Sequence, residues 1–113
     1  NVKAKEEEEA EQLLEDAKML ERIGCFALVL EKIPASLAQK VAESISIPVI
    51  GIGAGGGVDG QVLVLHDMIG MTHEFSPRFL RRYMNLFEDM TKAIGQYAAD
   101  VKSKDFPNAN EQY

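Results

Sequence analysis

The sequence predicts an α/β domain on a parallel sheet, in the form of part of an eight-stranded α/β barrel. Two apolar runs, residues 26–30 and 47–53, flank a helical pattern over residues 33–45. Strand, helix and strand in that order require a crossover, which makes the strands parallel and the connection right-handed. Apolar runs without alternation belong to strands buried on both faces. A third run, residues 61–65, adds one more strand, and three such strands leave sheet edges and faces only partly covered. Residues 1–113 therefore read as a single partial domain. The barrel is preferred to an open doubly wound fold because the chain begins on a helix with no strand before it. Its strand-end loops also carry the chemistry that barrels place there.

The first helix is expected over residues 4–23. Ala10, Leu13, Leu14, Ala17 and Leu20 or Glu21 fall on one face at steps of three and four. Glu6 to Glu9 crowd its first turns, where the helix dipole favours negative charge. Gly24 is a C-terminal stop. The first strand, residues 26–30, runs into Glu31, Lys32, Ile33 and Pro34. Pro34 opens the second helix near its first turn, with Leu37, Ala38, Val41, Ala42 and Ile45 inward and Gln39, Lys40, Glu43 and Ser44 outward. Pro48 can stand only at the beginning of the second strand, since it has no N–H for the ladder. The third run, 61–65, reads as a strand, with a short buried helical turn as the alternative. Ser76 and Pro77 form a helix start. The apolar spacing from Phe79 to Val101 then gives two helices broken near Asn85, or one kinked helix. The polar tail after Phe106 reads as loose.

Composition narrows the function. The net charge of −6 argues against nucleic acid and membrane surfaces as partners, because phosphate binding needs basic clusters. The one such cluster, Arg78, Arg81 and Arg82, is small and lies in a helical pattern. The lone Cys25 allows no internal disulfide and no zinc-type spacing, and reads as a small buried apolar residue in a reducing, cytoplasmic protein. No apolar run reaches the roughly 18 residues of a membrane span, and the charged start does not read as a signal peptide.

The candidate chemistry sits at strand ends. Glu31 stands at the carboxyl end of the first strand, the edge where α/β folds bind ligands; a solvated loop carboxylate is the plain alternative. Gly53, Gly55, Gly56 and Gly57 let the backbone approach a ligand closely. No Gly-Lys-Ser/Thr follows, which excludes a P-loop. Nor does an amphipathic helix of normal length follow, so the letters of a dinucleotide fingerprint carry little, and a glycine-lined pocket floor is the better reading. His66 and Asp67 have no nearby Ser or Cys nucleophile to serve, which favours a structural role. His73 reads as a surface loop residue.

Leu28-Val29-Leu30-Glu31, Ile33-Pro34, Ile47-Pro48-Val49-Ile50-Gly51-Ile52-Gly53-Ala54-Gly55 and the stretch from Asp59-Gly60-Gln61 to His66-Asp67 closely resemble the 3-methyl-2-oxobutanoate (ketopantoate) hydroxymethyltransferase family. Gln96-Tyr97 and Phe106-Pro107 resemble the end of that family. The resemblance covers nearly the whole chain and implies its C-terminal half, about strands 6–8 of a (β/α)8 barrel of the phosphoenolpyruvate mutase and isocitrate lyase type. It implies transfer of a hydroxymethyl group from 5,10-methylenetetrahydrofolate to 3-methyl-2-oxobutanoate, giving 2-dehydropantoate for pantothenate and coenzyme A. By the same resemblance Glu31 is the acid/base residue, Ile52 and Val64 border the substrate pocket, and magnesium or another divalent cation holds the oxo acid. The metal ligands, and a serine and lysine that bind substrate, are implied to lie in the N-terminal half, so no metal ligand is expected in this chain. The implied partners are the oxo acid, the folate, the N-terminal half and further copies of the chain, a decamer by resemblance. A non-catalytic, oligomer-forming fragment, inactive without the N-terminal half, is the alternative.

Overall fold

The computed structural model describes residues 6–113. In order, its elements are α1 (Glu7–Arg22), β1 (Leu28–Glu31), α2 (Ala35–Ser44), β2 (Val49–Ile52), β3 (Gly60–Gln61), α3 (Leu65–Met68) and α4 (Leu86–Ser103). A 3-10 turn, Ala109–Glu111, follows. The chain divides into two units: the described residues up to Leu63 with Pro77–Leu80, and Val64–Ser76 with Arg81–Tyr113.

The first unit is a mixed α/β structure with a parallel three-stranded sheet in the order β1-β2-β3. The helix expected from residue 4 begins at Glu7, and residues 4 and 5 lie outside the described residues. Its end is closed by Gly24 at φ 104. There the Gly24 N–H donates to the Glu21 carbonyl at 3.1 Å and the Cys25 N–H to the Leu20 carbonyl at 3.0 Å. This pair of bonds satisfies two carbonyls of the last turn. Spacings of three and four in α1 and α2 bring Ala17, Leu37, Ala38 and Val41 into one core with Leu30 and Val49. Val41 and Val49 are wholly buried, each contributing about 1.5–3 kcal/mol by removal from water.

The strands depart from the expectation of burial on both faces. Side chains alternate across a strand, and the helices cover only the face that carries Leu28, Leu30 and Val49. The other face carries Val29, Glu31, Ile50 and Ile52, and Val29 there is 64% exposed. β1 also starts later than expected. Phe26 is 89% exposed in the preceding bend, and Cys25 is half-buried rather than buried.

The third strand is corrected more strongly. It spans two residues, extended only by a bond from the Val62 N–H to the Gly51 carbonyl. The chain then turns helical, with the Asp67 and Met68 N–H groups donating to the Val64 carbonyl. A short apolar run fits either state locally, but the turn is not buried, since Leu65 is 58% exposed.

The helix expected from Ser76-Pro77 is also absent. The Leu80 N–H closes a single turn onto the Pro77 carbonyl. In the second unit, long-range bonds replace helical ones over residues 81–87. The Arg82 guanidinium donates to the carbonyls of Thr72 and Phe75, at 2.9 and 2.7 Å. Backbone N–H groups of Tyr83, Leu86 and Phe87 donate to the carbonyls of Met68, Ile69 and Gly70. The arginine cluster thus lies outside any helix. The break near Asn85 is present, as the start of α4. None of the residues of α4 is buried; Phe87, Met90, Ile94, Tyr97 and Val101 form an exposed apolar stripe. The tail is ordered, not loose: the Asn108 side chain accepts from the Asn110 N–H, and the Asn108 N–H donates to Glu111. No helix of the described residues is long and apolar enough to cross a membrane.

Candidate functional site

The site forms where β1 and β2 end. Glu31 is the last residue of β1, exposed, and its Cα partner across the register is Ile52. Strand alternation puts both side chains on the face away from the helices. Lys32 then breaks the extended pattern with φ 54, a left-handed conformation in which a non-glycine residue is strained. Its N–H donates to the Ile52 carbonyl at 3.0 Å, which prolongs the ladder by one bond. After this reversal Ile33 enters the core and Pro34 starts α2.

β2 runs into the glycine loop. Gly53 has φ 66, and a Cβ there would stand 2.9 Å from the Phe79 ring. Gly55 has φ 81, and a Cβ there would stand 2.4 Å from the Cβ of Ala35. Both the left-handed backbone and the close approach call for glycine. Two side chains hold the loop. The Gln61 amide donates to the Gly55 carbonyl at 2.7 Å. The Asp59 carboxylate accepts from the Val49 N–H at 2.8 Å, and its own N–H donates to the Val49 carbonyl at 2.9 Å.

Together these segments enclose an open cleft of about 1060 Å³, lined by residues 32–35, 53–56, 61–62 and 77–79. The glycine-lined floor expected from the sequence is present. Among the described residues, Lys32 and Arg78 are the charged ones that line it, and no aspartate or glutamate does. The Lys32 ammonium stands 6.0 Å from the centre of the Phe79 ring, within the range of a weak cation–π attraction.

Among the sequence-predicted site residues, the register joins Glu31 to Ile52. Neither is a lining residue of the cleft. Val64 belongs to the second unit, where it precedes α3 and is 44% exposed; from the same apolar run it is Val62 that lines the cleft. His66 and Asp67 lie in α3, where their backbone carbonyls accept from the Met71 and Gly70 N–H groups. His73 is an exposed loop residue, as expected, and its ring stacks on Phe87 at 3.9 Å.

Sequence reasoning missed Lys32, Gln61, Arg78 and Phe79 as cleft residues. The available signals were a lysine directly after a strand-end carboxylate and a Ser-Pro turn carrying an arginine and an aromatic. Among the described residues no three His, Cys, Asp or Glu side chains gather closely enough to hold a metal ion. The described residues do not by themselves fit a divalent cation.

The sequence model of the ketopantoate hydroxymethyltransferase family matches residues 1–109. A protein of Flavobacterium johnsoniae named 3-methyl-2-oxobutanoate hydroxymethyltransferase is 80% identical over 113 residues, all of this chain and 42% of its own length. Proteins of the same name from Porphyromonas gingivalis and Christiangramia forsetii are 71% and 70% identical over 100% and 99% of the chain, and 41% of their own lengths. The chain thus spans about two fifths of the length of these relatives. With nearly all of its residues matched, the chain belongs to the ketopantoate hydroxymethyltransferase family.

Proposed function

We propose that this chain serves the transfer of a hydroxymethyl group from 5,10-methylenetetrahydrofolate to 3-methyl-2-oxobutanoate, giving 2-dehydropantoate in pantothenate biosynthesis. It does so as the C-terminal part of a (β/α)8 barrel in a cytoplasmic enzyme. The observation that carries this reading is the position of Glu31: exposed at the carboxyl end of β1, beside Ile52, on the sheet face that the helices leave open. In a closed barrel the inner side chains of the strands share one enclosed core, and the strand ends carry the chemistry. Glu31 then acts as acid/base residue at the carbon next to the keto group, and Ile52 gives that carbon an apolar wall. Magnesium or another divalent cation belongs to the complete enzyme, with its ligands outside this chain.

The test joins the chain to the remainder of a family barrel and measures 2-dehydropantoate formation from both substrates. Product formation that depends on Glu31 supports the reading; an inactive but folded complete barrel sinks it. A second reading, a non-catalytic assembly fragment, is favoured by the exposed stripe of α4. Light scattering of the isolated chain separates the two, since a discrete oligomer that binds neither substrate fits assembly alone.

A further inference from the structure

We propose that the cleft beside Glu31 receives the glutamate carboxylates of the folate co-substrate, with Lys32 and Arg78 as the cations that hold them. This rests on the reaction proposed above. The chain carries a net charge of −6, yet among the described residues its cleft is lined by two cations and no carboxylate. A cleft lined by one sign of charge concentrates ions of the other. Lys32 is also held in place: its backbone sits at φ 54, its N–H is tied to the Ile52 carbonyl, and its ammonium stands over the Phe79 ring. The left-handed turn separates two neighbours in sequence, so that Lys32 lines the cleft and Glu31 does not.

That separation selects the ligand. In the oxo acid the carboxylate is bonded to the keto carbon, next to the carbon that loses its proton, so it stays with the reacting atoms at Glu31. In the folate an aminobenzoyl ring stands between the one-carbon unit and the glutamate. The glutamate therefore leaves the reacting centre and enters the adjoining cleft. Ile33, Pro34 and Phe79 supply apolar and aromatic surface for the ring.

The experiment uses the complete enzyme carrying these residues, with Lys32→Gln, Arg78→Gln and Arg78→Lys. KM is measured for 5,10-methylenetetrahydrofolate in its mono- and triglutamate forms and for 3-methyl-2-oxobutanoate. Tetrahydrofolate binding is measured separately, without turnover, by calorimetry. The expected result is a rise of about tenfold in folate KM for each Gln variant, the scale of one lost charged hydrogen bond. The rise is larger for the triglutamate, is partly restored in Arg78→Lys, and leaves the KM of the oxo acid within about twofold. A rise confined to the oxo acid, or no rise in either, overturns the proposal. If the unsubstituted enzyme forms no product yet binds tetrahydrofolate through Lys32 and Arg78, the reaction reading fails and the folate site stands. If it forms product and the variants bind folate normally, the reverse holds.

Discussion

Glu31 and Ile52 are direct partners in the parallel register of β1 and β2, side by side on the sheet face that the helices leave open. Any group packed against Ile52 on that face is therefore a neighbour of the Glu31 carboxylate. Exposure of Glu31 means that its removal should cost the fold little. In the complete enzyme, Glu31→Gln should lower turnover by about 10²–10⁴-fold, the usual contribution of a positioned acid/base group. The unfolding free energy should change by less than about 0.5 kcal/mol, as for other exposed sites. Parallel activity assays and urea titrations check this; a Gln variant of normal activity removes Glu31 from the chemistry.

The glycine loop should tolerate substitution at one position and not at its neighbour. Gly55 has φ 81, and an added Cβ would meet the Ala35 Cβ at 2.4 Å. Gly56 has nothing within 4 Å of its added Cβ. Gly55→Ala should destabilise by about 1–3 kcal/mol, through left-handed strain and displacement of the start of α2. Gly56→Ala should stay within about 0.5–1 kcal/mol of the parent. Urea midpoints of the two variants decide it, and equal midpoints would mean that Ala35 yields freely.

Where local pattern and tertiary bonding agree, the residues announce the structure. Leu37, Ala38 and Val41 recur at helical spacing and are buried as that spacing implies. The apolar run that ends in Glu31 marks β1 and its carboxyl end. Residues 77–85 also show helical spacing, yet Phe79 packs at Gly53 and Arg82 bonds to the carbonyls of Thr72 and Phe75. Those partners are remote in sequence, so no local pattern reveals them. For the same reason Lys32 and Arg78 look like ordinary solvated cations until the fold brings them to one cleft. The apolar composition of β1 implies burial on both faces, but it does not say whether this chain covers the second.

Asp59 should matter through its bond to buried backbone. Its carboxylate accepts the Val49 N–H at 2.8 Å, and Val49 is wholly buried. Asp59→Ala leaves that donor without a partner, which should cost about 1–3 kcal/mol. Asp59→Asn keeps an acceptor oxygen and should recover most of the loss. Urea unfolding of the two variants tests the assignment; equal losses would point to the carboxylate charge rather than the hydrogen bond.

The last prediction concerns acid. Glu21, near the end of α1, accepts from both the hydroxyl and the backbone N–H of Ser46, the latter at 2.7 Å. These bonds, the hydroxyl's foremost, favour the ionised form and hold the carboxyl below the usual carboxylate range. In the unfolded chain the bonds are absent and Glu21 titrates at its ordinary value, so the unfolded state takes up the proton first as pH falls. Stability from this group is then fully present above the ordinary carboxylate pKa and is lost as pH falls through the depressed native one. Glu21→Gln removes this titration. Urea midpoints of the parent and Glu21→Gln, followed from neutral pH into the acid range, should differ most at neutral pH and converge towards acid. Curves that stay parallel throughout would show that the Ser46 contacts do not distinguish the ionised from the protonated carboxyl.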